Sequence, residues 1–276
     1  AFPLLVPLFL LKPELPWHRE LEAIVQEVQQ PQTQQQATQS QNQAEKISSL
    51  SKYLKEKGFD IDPLLQDIRF AVYVNIANCF IASSEKTAKT LDEYKIAHRF
   101  EEGKRGIRGF IEKNIHQLEK AEQEYKIPKE TIATIFWIES NYANGSGIFN
   151  PFNAYVSMYI KGVKQDFAKG QLIELLRFSK KNKMNVFNLK SSCAGAMTYA
   201  QFIPSSLNRF FVGTELYNLD NNILSIGNYL SHFMKITGSL EKSIYRYNPS
   251  ELYVGFVMDL AKEAEKVIAS PQQKQF

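Results

Sequence analysis

The sequence predicts a mainly α fold, with several packed helices and few or no short strands. Apolar residues recur at helical spacing through most of the chain, helix-starting and helix-ending residues flank these segments, and strand-like alternation is confined to one stretch. Of the 276 residues, 44% are hydrophobic and 22% are charged, which is ordinary for a globular protein with a sizeable core.

The first clear helical segment is EKISSLSKYLKEKG, in which Ile47, Leu50 and Leu54 share one face and Gly58 marks the end. The next segment, DPLLQDIRFAVYVNIANCF, is ambiguous, because its first half suits a helix and its second half alternates in part like a strand. The third, GIRGFIEKNIHQLEKAEQEYKI, carries an apolar stripe and is predicted to form one amphipathic helix.

Three later segments are also predicted to be helices: GQLIELLRFSKKN, NNILSIGNYLSHFMKITG and NPSELYVGFVMDLAKEAEKVIAS. The last of them has the clearest start, with Asn248 as N-cap, Pro249 at the first helical position and Glu251 at the third. No internal repeat is evident along the chain.

Residues 29–43, QQPQTQQQATQSQNQ, are Gln-rich and have no apolar face, so we predict a flexible linker. Residues 1–28 begin with AFPLLVPLFLL, which is too short to span a bilayer. This region is either an N-terminal arm or the remnant of a signal peptide. The globular domain is predicted to cover residues 44–270, and residues 271–276 form a tail.

The net charge of +4, with a pI near 8.8, is only mildly basic. Lys and Arg form no concentrated stripe with interleaved aromatic residues, so we do not expect a nucleic acid as partner. Cys79 and Cys193 are the only cysteines, and they form neither a disulfide framework nor a zinc-ligand pattern. From the sequence they can be free or paired.

One carboxylate stands out at the end of the apolar segment IPKETIATIFWIES, which Pro128 and Glu130 mark as a helix start. Ile132, Phe136 and Glu139 share one face of this helix, so the face that buries the isoleucine also turns the carboxylate inward. Burial favours the protonated form and raises the pKa, as a general acid requires. The alternative interpretation is a glutamate that swings into water at the helix end, or one that is neutralised by a buried Lys or Arg.

A second motif follows about fifty residues later, in SSCAGAMTYAQFIPSS. Its small residues allow close approach of backbones, and Gln201 is a lone amide among apolar neighbours. The motif is either a tight helix contact capped by Gln201, or the wall of a cleft in which Ser192 and Gln201 bind a polar ligand near Glu139. The loop that follows the carboxylate contains NGSG, whose flexible backbone and exposed N–H groups favour a cleft beside the carboxylate.

These pieces together resemble a known family. A Glu-Ser pair that ends an apolar helix, the segment SSCAGAMTYAQFIPSS and the later YRYNPS are similar to the lytic transglycosylases of the lysozyme-like superfamily. The similarity is greatest to the membrane-bound lytic transglycosylase B type, with its SLT domain 2. The resemblance covers residues 47–268 and implies a lysozyme-like, multi-helix catalytic domain.

The resemblance implies that Glu139 is the single catalytic acid and base. The residues that it implies for sugar binding are Ser192, Gln201, Tyr229, Tyr247 and Asn248. For the two tyrosines the alternative is a role in the core, and Ser191 takes the place of Ser192 if the register shifts. Tyr94 is the nearest counterpart of a further family tyrosine that precedes the catalytic helix.

The chain also departs from the family pattern. Thr198 and Ala200 stand where the family commonly has glycine, and Cys193 stands where an aromatic residue is frequent. The segment FFVGTELYNLDNN lacks the oxygen-ligand spacing of the family's calcium loop. We therefore expect no metal and no other cofactor.

Glycosidases normally use two carboxylates, but Asp166 and Glu174 lie in segments predicted to expose them, which leaves Glu139 alone. One carboxylate suffices for a lytic transglycosylase that cleaves the MurNAc–GlcNAc β-1,4 bond of peptidoglycan. The C6 hydroxyl of the muramic acid is then the nucleophile, and the product is 1,6-anhydro-MurNAc. The alternatives are a lysozyme-like hydrolase, a non-catalytic wall-binding module and a helical adaptor.

This interpretation implies a bacterial protein that is exported to the periplasm or cell envelope, for cell-wall remodelling or turnover. Its partners would be peptidoglycan glycan strands. We expect a monomer whose N-terminal segment can bring it near a membrane.

Overall fold

The computed structural model describes residues 34–81, 87–145 and 147–269. These residues form thirteen α-helices and one 3-10 helix, and they contain no strand. Within the described ranges, strand-like hydrogen bonding is limited to isolated β-bridges around Ser191 and Met197. The predicted mainly α fold is confirmed.

The helices are named in chain order, with the 3-10 helix written η1. They are α1 (Gln34–Glu56), α2 (Asp62–Leu65), α3 (Asn78–Ile81), α4 (Leu91–Ala97), α5 (Phe100–Lys113), α6 (Ile115–Tyr125), α7 (Lys129–Ser140), α8 (Pro151–Ile160), α9 (Gln165–Asn182), η1 (Val186–Asn188), α10 (Pro204–Phe210), α11 (Leu219–Thr237), α12 (Leu240–Tyr247) and α13 (Glu251–Ala269).

Helix α7 lies at the centre of the core, with α5, α6, α11 and α13 packed around it. Its apolar residues are accordingly buried on all sides, and Ile132, Ile135 and Phe136 have no exposed surface. Each such side chain contributes about 1.5–3 kcal/mol through burial. A helix supported on all sides is a rigid base for the residues at its C-terminal end.

A second group of helices lies beside this core. Helix α8 packs against both α9 and α1, and α10 packs against α9 and α11. The segment between α9 and α10 contains Ser191 and Gln201, so these helices position the second sequence motif. None of the helices in the described ranges combines the length and hydropathy needed to cross a bilayer.

The flexible linker predicted for residues 29–43 is wrong in its second part, because α1 begins at Gln34. Gln and Ala are good helix formers, which favours extension of the helix through this Gln-rich segment. Burial of Leu50 and Leu54 anchors the other end of α1. Residues 1–28, the first residues of the linker and the tail at 271–276 lie outside the described ranges, so the domain boundaries stay predictions.

The ambiguous segment after α1 forms neither one helix nor a strand. Two four-residue helices, α2 and α3, are joined by turns such as the one in which the Ile76 N–H donates to the Tyr73 carbonyl at 3.3 Å. Contacts with α8 determine this path. The Tyr73 N–H donates to the Ser157 hydroxyl at 2.7 Å, and Tyr73 accepts from the Asn150 N–H at 2.9 Å.

Two helix boundaries also differ from the prediction. The amphipathic helix predicted as one piece is divided at Asn114, whose side chain donates to the Phe110 carbonyl at 2.8 Å and ends α5. Helix α13 begins at Glu251, because the Ser250 hydroxyl accepts from the Tyr253 N–H at 3.3 Å. Asn248 is therefore not its N-cap and instead ends α12.

Candidate active site

Glu139 lies one residue before the end of α7, where the helix leaves the core. Ile132 and Phe136 on the same face are fully buried, whereas Glu139 is partly exposed. The carboxylate thus borders both the core and the solvent, as a group on the edge of a cleft does. The raised pKa expected from burial stays a prediction.

Ser140 fixes the end of this helix. Its hydroxyl donates to the Phe136 carbonyl and accepts from the Ala143 N–H, both at 3.1 Å. The three residues 141–143 all have a left-handed backbone, with φ between 51° and 68°. Such strain in residues other than glycine persists only where the surroundings enforce it, which is typical of functional sites. Glu139 is thereby held directly beside a strained, hydrogen-bonded turn.

The carboxylate of Glu139 accepts a hydrogen bond from Tyr253 on α13. The distance from the Tyr253 hydroxyl to Oε1 is 2.6 Å, and the tyrosine is only 1% exposed. Burial and the neighbouring Glu139 raise the pKa of Tyr253 well above its ordinary value, so it stays a proton donor. Tyr253 is not among the site residues predicted from the sequence. The available signal was a tyrosine on a buried helix face, whose hydroxyl needs a partner.

Tyr94 lies behind this pair. It is fully buried, its ring packs against His98 and Phe256, and it is close enough to Tyr253 to contribute to the raised pKa of that residue. Tyr94, the nearest counterpart of the further family tyrosine, is therefore a buried neighbour of Tyr253.

Tyr247 lies between the Glu139 carboxylate and the second sequence motif, which forms the opposite wall of the candidate site. Its hydroxyl donates to the Ala200 carbonyl at 2.5 Å. Burial, followed by the nearby charge of Glu139, raises the pKa of Tyr247 well above its ordinary value. Asn248 follows directly, and its backbone N–H donates to the Ile244 carbonyl at 3.1 Å. Glu139, Tyr247 and the 200–201 backbone are thus neighbours in space.

The wall begins at Ser191, which pairs with the loop after α7. The Ser191 N–H donates to the Phe149 carbonyl at 2.8 Å, and the Phe149 N–H donates back at 3.1 Å. Gly147 lies so close that an added Cβ would overlap the Ser191 carbonyl group, and its φ is +83°. Only glycine fits here. This close approach joins the loop that follows Glu139 to the second sequence motif.

The remaining wall is a compact loop with few exposed polar groups. The Ser192 hydroxyl accepts from the Ala196 N–H at 3.2 Å and keeps its own proton for a further acceptor. The Gln201 side chain donates to the Thr198 carbonyl at 3.0 Å, and both residues have a left-handed backbone. Ser192 and Gln201 are partly exposed, whereas Ser191 is fully buried. Burial makes Ser191 a poorer choice than Ser192 for contacting a ligand.

Tyr229 packs in an aromatic cluster under this wall. Its ring lies 4.9 Å from that of Tyr247 and 5.7 Å from that of Phe202. Its hydroxyl donates to the Arg246 carbonyl at 2.5 Å, and burial raises the pKa of Tyr229 to about 12. The structure therefore gives Tyr229 a packing role, and its predicted contact with sugar stays a prediction.

Asp166 and Glu174, two other acids that follow Glu139 in the sequence, both form ion pairs of their own. Asp166 is exposed and pairs with Lys169 at 2.8 Å, while Glu174 accepts from Asn208 at 2.7 Å and pairs with Arg177. Across the described ranges no three His, Cys, Asp or Glu side chains group as metal ligands.

The structure also determines the state of the cysteines, which the sequence left open. Cys79 and Cys193 form a disulfide, with 6.0 Å between their Cα atoms. Cys193 directly follows Ser192, so this bond reaches the wall of the candidate site.

Comparison with known families identifies the domain. A sequence profile described as Transglycosylase SLT domain matches residues 60–234, more than half of the chain. The chain belongs to the transglycosylase SLT domain family. The matched range contains Glu139, Ser192 and Gln201, and Tyr253 lies beyond it.

Individual relatives extend the comparison. The chain is 29% identical over 120 residues to Membrane-bound lytic murein transglycosylase B of Escherichia coli (strain K12), a match that covers 42% of this chain and 33% of that protein. It is similar in fold to the soluble lytic transglycosylase SltB1 from Pseudomonas aeruginosa, with a TM-score of 0.70, 19% identity, and coverage of 82% of this chain and 100% of that one. It is also similar to SltB3 from the same organism, solved in complex with NAG-anhNAM-pentapeptide, with a TM-score of 0.67, 14% identity, and coverage of 82% and 79%.

Proposed function

We propose that this SLT-domain protein is a peptidoglycan lytic transglycosylase that cleaves the MurNAc–GlcNAc β-1,4 bond and leaves 1,6-anhydro-MurNAc. The observation that carries the proposal is the Glu139 carboxylate, which a buried tyrosine hydroxyl holds at 2.6 Å. Membership of the transglycosylase SLT domain family and similarity to lytic transglycosylases support the same activity.

In the first step, Glu139 in its acid form protonates the oxygen between MurNAc and GlcNAc, and the bond from that oxygen to C1 breaks. The resulting carboxylate then accepts the proton of the muramic acid C6 hydroxyl while O6 bonds to C1. Glu139 ends the cycle in its starting form, and no water is consumed. The attacking hydroxyl belongs to the same sugar, so its high effective concentration replaces a second protein carboxylate.

Tyr253 positions Glu139 in both steps. Its hydroxyl is buried and remains protonated, so it donates to Glu139 Oε1 and fixes the orientation of the carboxylate. The ion pairs of Asp166 and Glu174 agree with a site that uses one carboxylate.

We assign sugar binding to Ser192, Gln201, Tyr247 and Asn248, with Tyr229 beneath them. The first two side chains are partly exposed on a wall that reaches Glu139 through Tyr247. Hydroxyl and amide groups suit the acetamido and hydroxyl groups of the glycan, since both partners donate and accept hydrogen bonds.

The proposed site of action is the bacterial cell envelope, where peptidoglycan is located. The disulfide between Cys79 and Cys193 supports export, because disulfides persist in oxidising compartments such as the periplasm. The partner is the glycan strand itself.

The test compares Glu139→Gln with wild type on purified peptidoglycan. The amide retains an oxygen that can accept from Tyr253, so the variant should keep its Tm and its binding to glycan while release of soluble muropeptides stops. Glu119→Gln on the exposed face of α6 is the matched control and should keep full activity. Continued release by the Glu139→Gln variant would exclude this residue as the acid.

A further inference from the structure

Cys79 lies in the four-residue helix α3, at the end of a segment with little regular structure of its own. Between α2 and α3 this segment is held by side chains on and before α8, including the hydrogen bonds of Tyr73 to Ser157 and Asn150. The Tyr73 ring also lies 5.2 Å from the Phe149 ring, edge to face. Because Phe149 pairs with Ser191, this segment is fixed beside the start of the glycan-site wall.

The segment that contains Cys193 is a tight turn in the wall itself. The turn is closed by the Ser192 N–H, which donates to the Ala196 carbonyl at 2.7 Å, and by the Gly195 N–H, which donates to the Ser192 carbonyl at 2.9 Å. The Ala196 N–H bonds to the Ser192 hydroxyl. Cys193 lies at the tip of this turn. The backbone and hydroxyl of Ser192 therefore depend on the geometry of five consecutive residues.

One other contact holds the turn from behind. The Tyr155 hydroxyl donates to the Gly195 carbonyl at 2.9 Å. Gly195 has a φ of +83°, and an added Cβ would overlap the Tyr155 ring. Tyr155 and the disulfide thus act on adjacent parts of the same turn. The tyrosine fixes its base, and the disulfide fixes its partly exposed tip at Cys193.

We propose that Cys79 and Cys193 are positioning residues for glycan binding, and that their disulfide holds Ser192 in its binding orientation. The inference rests on the proposed function. The bond joins positions 114 residues apart, so it also links the binding wall to a segment with no other covalent constraint nearby. Without the bond, the turn must become ordered each time a glycan strand binds, which weakens binding and leaves the chemistry at Glu139 unchanged.

Reduction breaks this constraint without any change in sequence. Dithiothreitol attacks the disulfide by thiol–disulfide exchange, the two cysteines gain two electrons and two protons, and dithiothreitol becomes its cyclic disulfide. Removal of the reductant and addition of oxidised glutathione reverses the change. Intact mass and thiol counting report the state of the protein at each stage.

The first experiment measures kcat and KM on peptidoglycan for the oxidised, reduced and reoxidised protein, and glycan binding by the Glu139→Gln variant in the same three states. We expect reduction to raise KM and Kd about five- to tenfold, to change kcat less than twofold, and to be reversed by reoxidation. The Cys79→Ser/Cys193→Ser double variant should resemble the reduced protein and should not respond to dithiothreitol.

Amide hydrogen exchange separates a local effect from general loss of stability. The proposal predicts faster exchange at Gly195 and Ala196 after reduction, with exchange in α7 unchanged. Equal KM and Kd in all three states would overturn the proposal, and so would a loss of protection that extends through α7 or unfolds the chain. If the proposed function is wrong, even the oxidised wild type neither binds nor cleaves glycan, which distinguishes the two failures.

Discussion

Replacing Tyr253 by Phe removes a single oxygen atom from the site and leaves the packing of α13 unchanged. That oxygen is the donor to Glu139 Oε1, at 2.6 Å. A hydrogen bond to a charged group contributes about 1.5–3 kcal/mol. Because Glu139 is partly exposed, water can solvate the carboxylate in place of the tyrosine, so we expect the lower end of this range.

A free-energy loss of about 1.4 kcal/mol in the transition state corresponds to a tenfold lower rate. Tyr253 is buried behind the carboxylate, so we expect kcat of the Tyr253→Phe variant to fall about tenfold, with KM within twofold of wild type. The assay is the initial rate of soluble muropeptide release from purified peptidoglycan over a range of substrate concentrations.

The control is Tyr245→Phe, which removes the same atom from a tyrosine that is 39% exposed on α12. It should leave both constants unchanged. Wild-type kcat in a Tyr253→Phe variant whose melting temperature shows that it is folded would refute a positioning role for the Tyr253 hydroxyl. An increase in KM alone would also refute it, because that would place the hydroxyl in substrate binding.

Three further substitutions test other parts of the structure. Ser140→Ala removes the hydrogen bonds that hold the turn after α7, and muropeptide release should fall about tenfold at unchanged KM. Gly195→Ala places a methyl group against the Tyr155 ring, and calorimetry should show a Tm about 3 to 10 °C lower. The pKa of Glu263 is lowered to about 2, chiefly by Lys104, so its contribution to stability is present above its ordinary pKa and is lost as pH falls towards 2. Glu263→Gln should therefore lower Tm by about 2 °C at pH 7, and a Tm difference that persists at pH 2 would contradict this assignment.

The long helices could be predicted because apolar spacing along the chain determines which faces are buried. Helix α11 ends at Thr237, directly before Gly238, and α7 buries the face that contains Ile132 and Phe136, as the sequence indicates. The segment between α2 and α3 could not be predicted in the same way. Its path depends on contacts between Tyr73 and α8, which lie far away in the sequence.

The candidate site could also be predicted in part from local patterns. Glu139 was evident from helical spacing, because its unusual position is a local property. Its partner Tyr253 is 114 residues away and reads locally as a core tyrosine, so no local pattern identifies the pair. The disulfide between Cys79 and Cys193 is also a long-range contact that composition and spacing leave open.

The most direct test of the account is the chemistry of the new glycan ends. Purified wild-type protein is incubated with peptidoglycan, and the released muropeptides are analysed by mass spectrometry without chemical reduction. We predict 1,6-anhydro-MurNAc ends, each lighter by one water than a hydrolysis product, and no such products from the Glu139→Gln variant. Reducing MurNAc ends from the wild type would show that water is the nucleophile and would contradict the transglycosylase mechanism.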